Sequence, residues 1–177
     1  MFEKDYVVRG KHAHYLKYLN AFQRKMEPEQ YGKNAGIFPA AIDIYVVAPL
    51  IGAAYNRIAL PDYDSQDTVN IHADAIIRRQ RDLATVYRLI MLIERQSEAT
   101  EEERVKRAFR DDEDEAKLSE NIELFHQFMR GGLEWLYEQV TEHATTQEDY
   151  LKRIVELVNQ YSVDFDLTEL TGNVEEI

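Results

Sequence analysis

No cysteine occurs among the 177 residues, which excludes disulfides and every thiolate role, whether as nucleophile or as metal ligand. Glycine and proline are scarce, at seven and four, and no glycines are arranged as a phosphate-cradling loop, which argues against nucleotide hydrolysis. The serines (Ser65, Ser97, Ser119 and Ser162) sit in polar stretches, none inside a Gly-x-Ser-x-Gly elbow. Basic residues are too few to balance the acids, 21 against 33, and leave a formal charge of −12. Such a chain repels phosphate backbones at long range, so nucleic-acid binding is possible but disfavoured. A negative surface gives solubility, or docks on a basic partner, or mimics DNA. Residues 1–10 have no apolar run of the signal-peptide type, and a cytoplasmic location is expected.

Apolar residues, at 45%, and aromatic residues, at 11%, suffice for a core, and the length suits one domain. Helical spacing dominates. Tyr15, Leu16, Leu19 and Phe22 mark a helix over about 11–25, after a short extended arm at Tyr6, Val7 and Val8. Residues 27–36 carry loop chemistry in Pro28, Gly32, Asn34 and Gly36. Residues 37–56 are almost wholly apolar, with Asp43 the only charge before Arg57. A membrane span is disfavoured there, because an aspartate at a bilayer centre costs about 2.5–3.5 kcal/mol and Pro49 interrupts the backbone ladder. A buried central helix over about 37–57 is the better reading, with Pro39 in its first turn and a kink at Pro49.

An Asp-rich loop over 60–70 precedes a helix over about 71–95, striped by Ile76, Leu83, Tyr87 and Ile90 and flanked by Ile77, Ala84 and Met91. Thr100 and Glu103 form a capping-box pattern that opens a short helix with Val105, Ala108 and Phe109 inward. The five acids of 111–115 read as a solvated loop or frayed end. The longest helix is expected over 118–142. Its Gly131-Gly132 pair implies either a close helix crossing or a bend. A last helix from Thr145 or Thr146 carries Tyr150, Leu151, Ile154, Leu157, Val158 and Tyr161, and an acidic, flexible tail follows over 162–177.

Chemistry-bearing constellations are sparse. A di-iron bundle needs two Glu-x-x-His pairs, and only Glu123 and His126 make one, so His126 reads as a core-edge histidine. His12 and His14 fall on different helix faces, and His72 with Asp74 opens a helix. Neither a His-Glu-x-x-His nor a calcium-loop pattern occurs, and no metal or cofactor is expected. Asp43, buried if its helix is, must be paired or have its pKa raised, and an ion pair with an arginine from another helix is expected in preference to a catalytic role. The most distinctive feature is two arginine rows. Arg81, Arg88 and Arg95 recur every seven residues with Arg78 a turn behind, and Arg104, Arg107 and Arg110 recur every three. A planar guanidinium fork can bind phosphate or carboxylate, so the rows are either an anionic docking surface or the internal neutralisers of nearby acids.

The chain therefore reads as an all-α single domain at 1–161, with five or six helices packed irregularly or orthogonally around a buried central helix. Its expected role is that of a non-catalytic helical protein–protein interaction module. It would be an accessory subunit of a larger intracellular complex or a homo-oligomer, in keeping with eleven tyrosines and seven phenylalanines. Three further readings stay open: a nucleic-acid-associated factor using the arginine row, an acidic DNA mimic, and a helical-bundle metalloenzyme.

Overall fold

The computed structural model describes residues 1–20, 36–94, 97, 99–142 and 147–164. The chain divides into two compact units, Met1–Tyr137 and Glu138–Ile177. Among the described residues the fold is all-α but for one small ribbon. Strand β1 (Tyr6–Arg9) pairs antiparallel with β2 (Thr68–Ile71), placing Tyr6 opposite Ile71 and Arg9 opposite Thr68. Alternation along the ribbon buries Val8, Val69 and Ile71 and turns Val7 and Asn70 outward. The extended arm at Tyr6 is thus a paired strand. The end of the Asp-rich loop, together with Ile71, is its partner rather than loop and helix start.

Helix α1 (Gly10–Leu19) leaves β1 directly and buries His12, Ala13, Leu16 and Leu19 along one face. It ends sooner than expected because Asn20 bridges to Phe38; Phe22 and most of the 27–36 loop lie outside the described residues. Helix α2 (Ala41–Ala54) is the apolar run, and none of its residues is exposed. It is shorter than the expected 37–57, and Pro39 stands just before it rather than in its first turn. Asp43 sits at the third helical position, where its Oδ2 accepts from the Ala40 N–H at 3.2 Å. No helix among the described residues is long and apolar enough to cross a membrane.

The single helix expected over 71–95 is two, α3 (Ala73–Arg78) and α4 (Gln80–Ile93), broken at Arg79. Neither proline nor glycine marks the break, so spacing alone could not show it. The guanidinium of Arg79 is anchored to Asp82 and Asp43 at 2.7 and 3.2 Å. The expected stripe survives the break: Ile76, Leu83, Tyr87 and Ile90 are buried together with Val86 and Met91, whereas the flanking Ile77 is exposed. Helix α5 (Glu101–Phe109) opens with the expected capping box, the Thr100 N–H donating to Glu103 Oε2 at 2.7 Å. Only Ala108 of its three expected core residues is buried; Val105 and Phe109 face out.

The acidic run does not fray. Asp111–Glu113 forms a 3-10 turn with Asp111 buried, and Glu115 starts α6 (Glu115–Thr141). Phe125, His126, Phe128, Met129, Arg130 and Leu133 are all buried, so α6 is enclosed on several sides through its middle. There it crosses α2 in backbone contact. A Cβ on Gly132 would overlap the Ala48 carbonyl oxygen, and one on Gly52 would overlap that of Phe128. The glycine pair thus serves close approach, Gly132 to α2 and Gly131 to the Arg57 carbonyl just beyond it. Tyr55 stacks on Trp135 at 4.2 Å beside it. In the second unit, α7 (Gln147–Asp164) carries Arg153, which donates to the Gln139 carbonyl at 3.0 Å and to Gln139 Oε1 at 2.9 Å.

Candidate functional site

Most arginines of the two rows have partners within the fold. Arg78 pairs with Asp74 at 2.9 Å one turn back. The Arg88 guanidinium lies over the Phe109 ring, 5.7 Å from its centroid. Arg104 donates to the Ala99 carbonyl at 3.0 Å. Arg107 donates to Ser97 Oγ at 3.1 Å and reaches Glu94 at 3.4 Å, whose carboxylate is fully buried. Arg81 and Arg110 are exposed and form no ion pair with any described residue; Arg95 lies outside the described residues. The rows therefore do not form one continuous strip of free guanidinium groups. Sequence reasoning overlooked Arg79, which holds two carboxylates, and Arg130, which holds three groups.

Asp43 is half-buried rather than buried, capping α2 and meeting Arg79 from the α3–α4 break. Far richer is the surround of His126. Strand β1 lays Tyr6 flat on the imidazole, ring centroids 3.9 Å apart. The Tyr45 hydroxyl and His126 Nε2 lie 2.8 Å apart, one donating to the other according to the tautomer. Arg130, one turn on, reaches three elements: Nε donates to the Ala59 carbonyl at 2.9 Å, Nη1 to the Tyr6 hydroxyl at 3.2 Å, and Nη2 to Glu123 at 2.5 Å. Glu123 and His126, the lone Glu-x-x-His pair, stand 4.0 Å apart, and Glu123 turns to the arginine instead. A hollow of about 120 Å³ beside this network is lined by Tyr6, Arg9, Pro61, Tyr63, Glu123 and Arg130, among others.

Burial, helped by the Arg130 charge, pushes the His126 imidazole down to about 3. Burial likewise lowers His12, whose Nε2 lies 2.9 Å from Glu134. The consequence for stability has a definite sign. An unfolded histidine takes its proton near pH 6.5, the folded His126 only near pH 3. In that window the unfolded state holds the extra proton, so stability falls as pH falls, by about 1.4 kcal/mol per unit. Between pH 6.5 and 5 the wild-type chain should lose about 2 kcal/mol more than His126→Gln, whose carboxylates titrate alike. Urea unfolding of both at the two pH values measures this; parallel losses would refute it.

The remaining histidines have local contacts. His14 meets the edges of Tyr15 and Tyr137, and His72 lies 3.2 Å from Asn70 Nδ2. Among the described residues no group of three or more His, Asp or Glu is placed to hold a metal ion. Large apolar side chains are nonetheless exposed on the α4–α5 hairpin: Leu89 and Ile93 one turn apart, Val105 and Phe109 one turn apart, with Phe109 56% exposed beneath Arg88.

Fold and side-chain placement together define an all-α protein in which many charged groups bond one another and the backbone, with large aromatic and aliphatic side chains left exposed on α4 and α5. The family described as DNA sulphur modification system-associated protein 4 matches residues 28–170, well over half of the chain. The chain belongs to that family, and is accordingly an accessory protein of a larger system. No curated protein and no solved structure matches it.

Proposed function

We propose that this chain is a non-catalytic accessory subunit of a DNA sulphur modification system, docking on another protein of that system through the exposed face of the α4–α5 hairpin. The observation that carries the reading is Phe109. An aromatic ring left mostly in water, roofed by Arg88 and accompanied by exposed Leu89, Ile93 and Val105, costs the free chain hydration free energy that burial against a partner would recover. Aromatic residues and arginine are also the side chains most enriched at the energetic centres of interfaces. The internal partners of Arg78, Arg88, Arg104 and Arg107 weigh against a phosphate track.

Co-expression with the other proteins of the system, followed by affinity capture and size-exclusion chromatography, tests the reading. Wild-type chain should co-elute with one of them. Phe109→Glu should weaken that association by at least about tenfold, while Leu151→Glu on α7 should leave it intact. Co-elution unaffected by Phe109→Glu, or none by the wild type, refutes the assignment. Binding of duplex DNA at low salt that Arg81→Glu abolishes would favour the nucleic-acid reading instead.

A further inference from the structure

A groove of about 360 Å³ runs where α5, the 3-10 turn and the first half of α6 meet, with Glu103, Lys106, Arg107, Asp111, Glu120 and Asn121 among its lining. Two of these side chains are largely buried yet keep polar atoms that the fold leaves poorly served. Asp111 is 7% exposed, and among the described residues its carboxylate makes no ion pair or hydrogen bond; only its backbone carbonyl is engaged, accepting from the Asp114 N–H. Its carboxylate oxygens touch water only at the groove and meet no counter-charge there. Asn121 is 6% exposed, and its Nδ2 has no hydrogen-bond partner. The neighbouring Tyr87 hydroxyl, which donates to the Arg107 carbonyl at 3.1 Å, lies close to that amide without meeting hydrogen-bond geometry. A buried amide N–H without an acceptor is a second defect of the same kind.

The charges around the groove decide what would cure both defects. Arg107 is held by Glu94 and Lys117 by Asp114, each at 3.4 Å. Lys106 then stands alone against Glu103, Asp111 and Glu120. A cation is wanted at the floor, and an acceptor oxygen beside it. The chain's charge of −12 further favours a basic visitor.

We propose that this groove seats the cationic end of an arginine or lysine side chain from a basic segment of the partner protein, its guanidinium or ammonium on Asp111 and Glu120 and a peptide carbonyl accepting from Asn121 Nδ2. The inference deepens the docking reading and rests on it, since it names the chemistry the partner brings. Arginine suits the site better than lysine, because a planar fork can meet two carboxylates at once.

The probe is Nα-acetyl-arginine N-methylamide, titrated into the full chain and followed by ¹H–¹⁵N NMR, with the lysine and uncharged citrulline analogues alongside. The arginine probe should move the Asn121 side-chain amide and backbone signals of α5 and early α6. Citrulline, and Asp111→Asn with the arginine probe, should each bind at least about tenfold more weakly. Asp111→Asn removes a charge that has no partner, so the fold should survive; Glu120→Gln, on the surface, should weaken binding by a smaller factor and provides a second reading. Equal binding of citrulline, indifference to both substitutions, or no perturbation at about 10 mM probe overturns the site. Phe109→Glu should leave probe binding unchanged. A chain that co-elutes with its partner yet ignores the probe therefore sinks the groove and spares the docking face. A chain that binds the probe and co-elutes with nothing refutes both the partner and this role for the groove.

Discussion

Gly132→Ala should destabilise the protein by at least about 3 kcal/mol, although the same change in an unpacked helix would stabilise by about 1 kcal/mol. The sign is set by space. A Cβ at Gly132 overlaps the Ala48 carbonyl oxygen and comes within 2.7 Å of the Gly52 nitrogen. Those atoms are backbone, on a helix with no exposed residue, and cannot swing aside as a flexible side chain would. Separating α2 from α6 by the needed distance would also loosen Ile44, Tyr45, Phe128 and Met129, all almost wholly buried. Single domains hold only about 5–15 kcal/mol in total, so much of the stability goes with one methyl group. Urea unfolding followed by circular dichroism gives the number. Ala116→Gly, on the exposed first turn of the same helix, is the control and should cost no more than about 1 kcal/mol. A Gly132→Ala chain as stable as wild type would mean that the two helices do not meet backbone to backbone.

That crossing shows what a single sequence can and cannot reveal. The apolar run with its lone Asp43 identified a helix enclosed on all sides, because no other fate suits so many aliphatic residues in water. The Gly131-Gly132 pair left two choices, and only the partner's position selects between them. Thr100 and Glu103 were legible because a cap is a local transaction between residues three apart. The ribbon was not. Four residues at the N-terminus pair with four that lie some sixty positions later, and neither stretch is long enough to show its alternation. The break at Arg79 escaped for a related reason: the partner Asp43 lies on another helix. Asp111 was misread because a run of five acids suggests solvation, whereas its first member turns inward while the others stay out. Val105 and Phe109 fit an inward stripe equally well by spacing. Their exposure depends on which face α5 offers to α4, and that choice is made by Ala108 and by the Arg107–Glu94 pair.

The polar interior has the same logic at higher stakes. Tyr6, Tyr45, Ala59, Glu123, His126 and Arg130 come from β1, α2, a loop and α6, so no local pattern could have assembled them. Each would be a liability alone. Together they satisfy one another, and they tie the N-terminal strand to the helical core, which is where β1 gains an anchor beyond its short pairing with β2.

Arg130→Met should expose how much of the fold hangs on that knot, with an expected loss of about 2–4 kcal/mol. The Arg130 side chain is 5% exposed, and its removal strands the Ala59 carbonyl and the Tyr6 hydroxyl. Glu123 is half exposed and will be partly rescued by water, so the ion pair supplies the smaller share. Arg130→Lys separates the contributions. A lysine keeps the charge near Glu123 but offers no rigid fork that can serve Ala59, Tyr6 and Glu123 together, so it should recover less than half of the loss. Glu123→Gln, by the same reasoning, should cost about 1 kcal/mol or less. A second readout distinguishes the network from simple packing. The positive charge of Arg130 helps hold the His126 imidazole neutral, so Arg130→Met should raise the pH at which His126 titrates, as followed by the imidazole carbon-bound protons in NMR. Full recovery of stability by lysine would assign the effect to charge alone, and an unmoved His126 would show that burial suffices to keep that ring neutral.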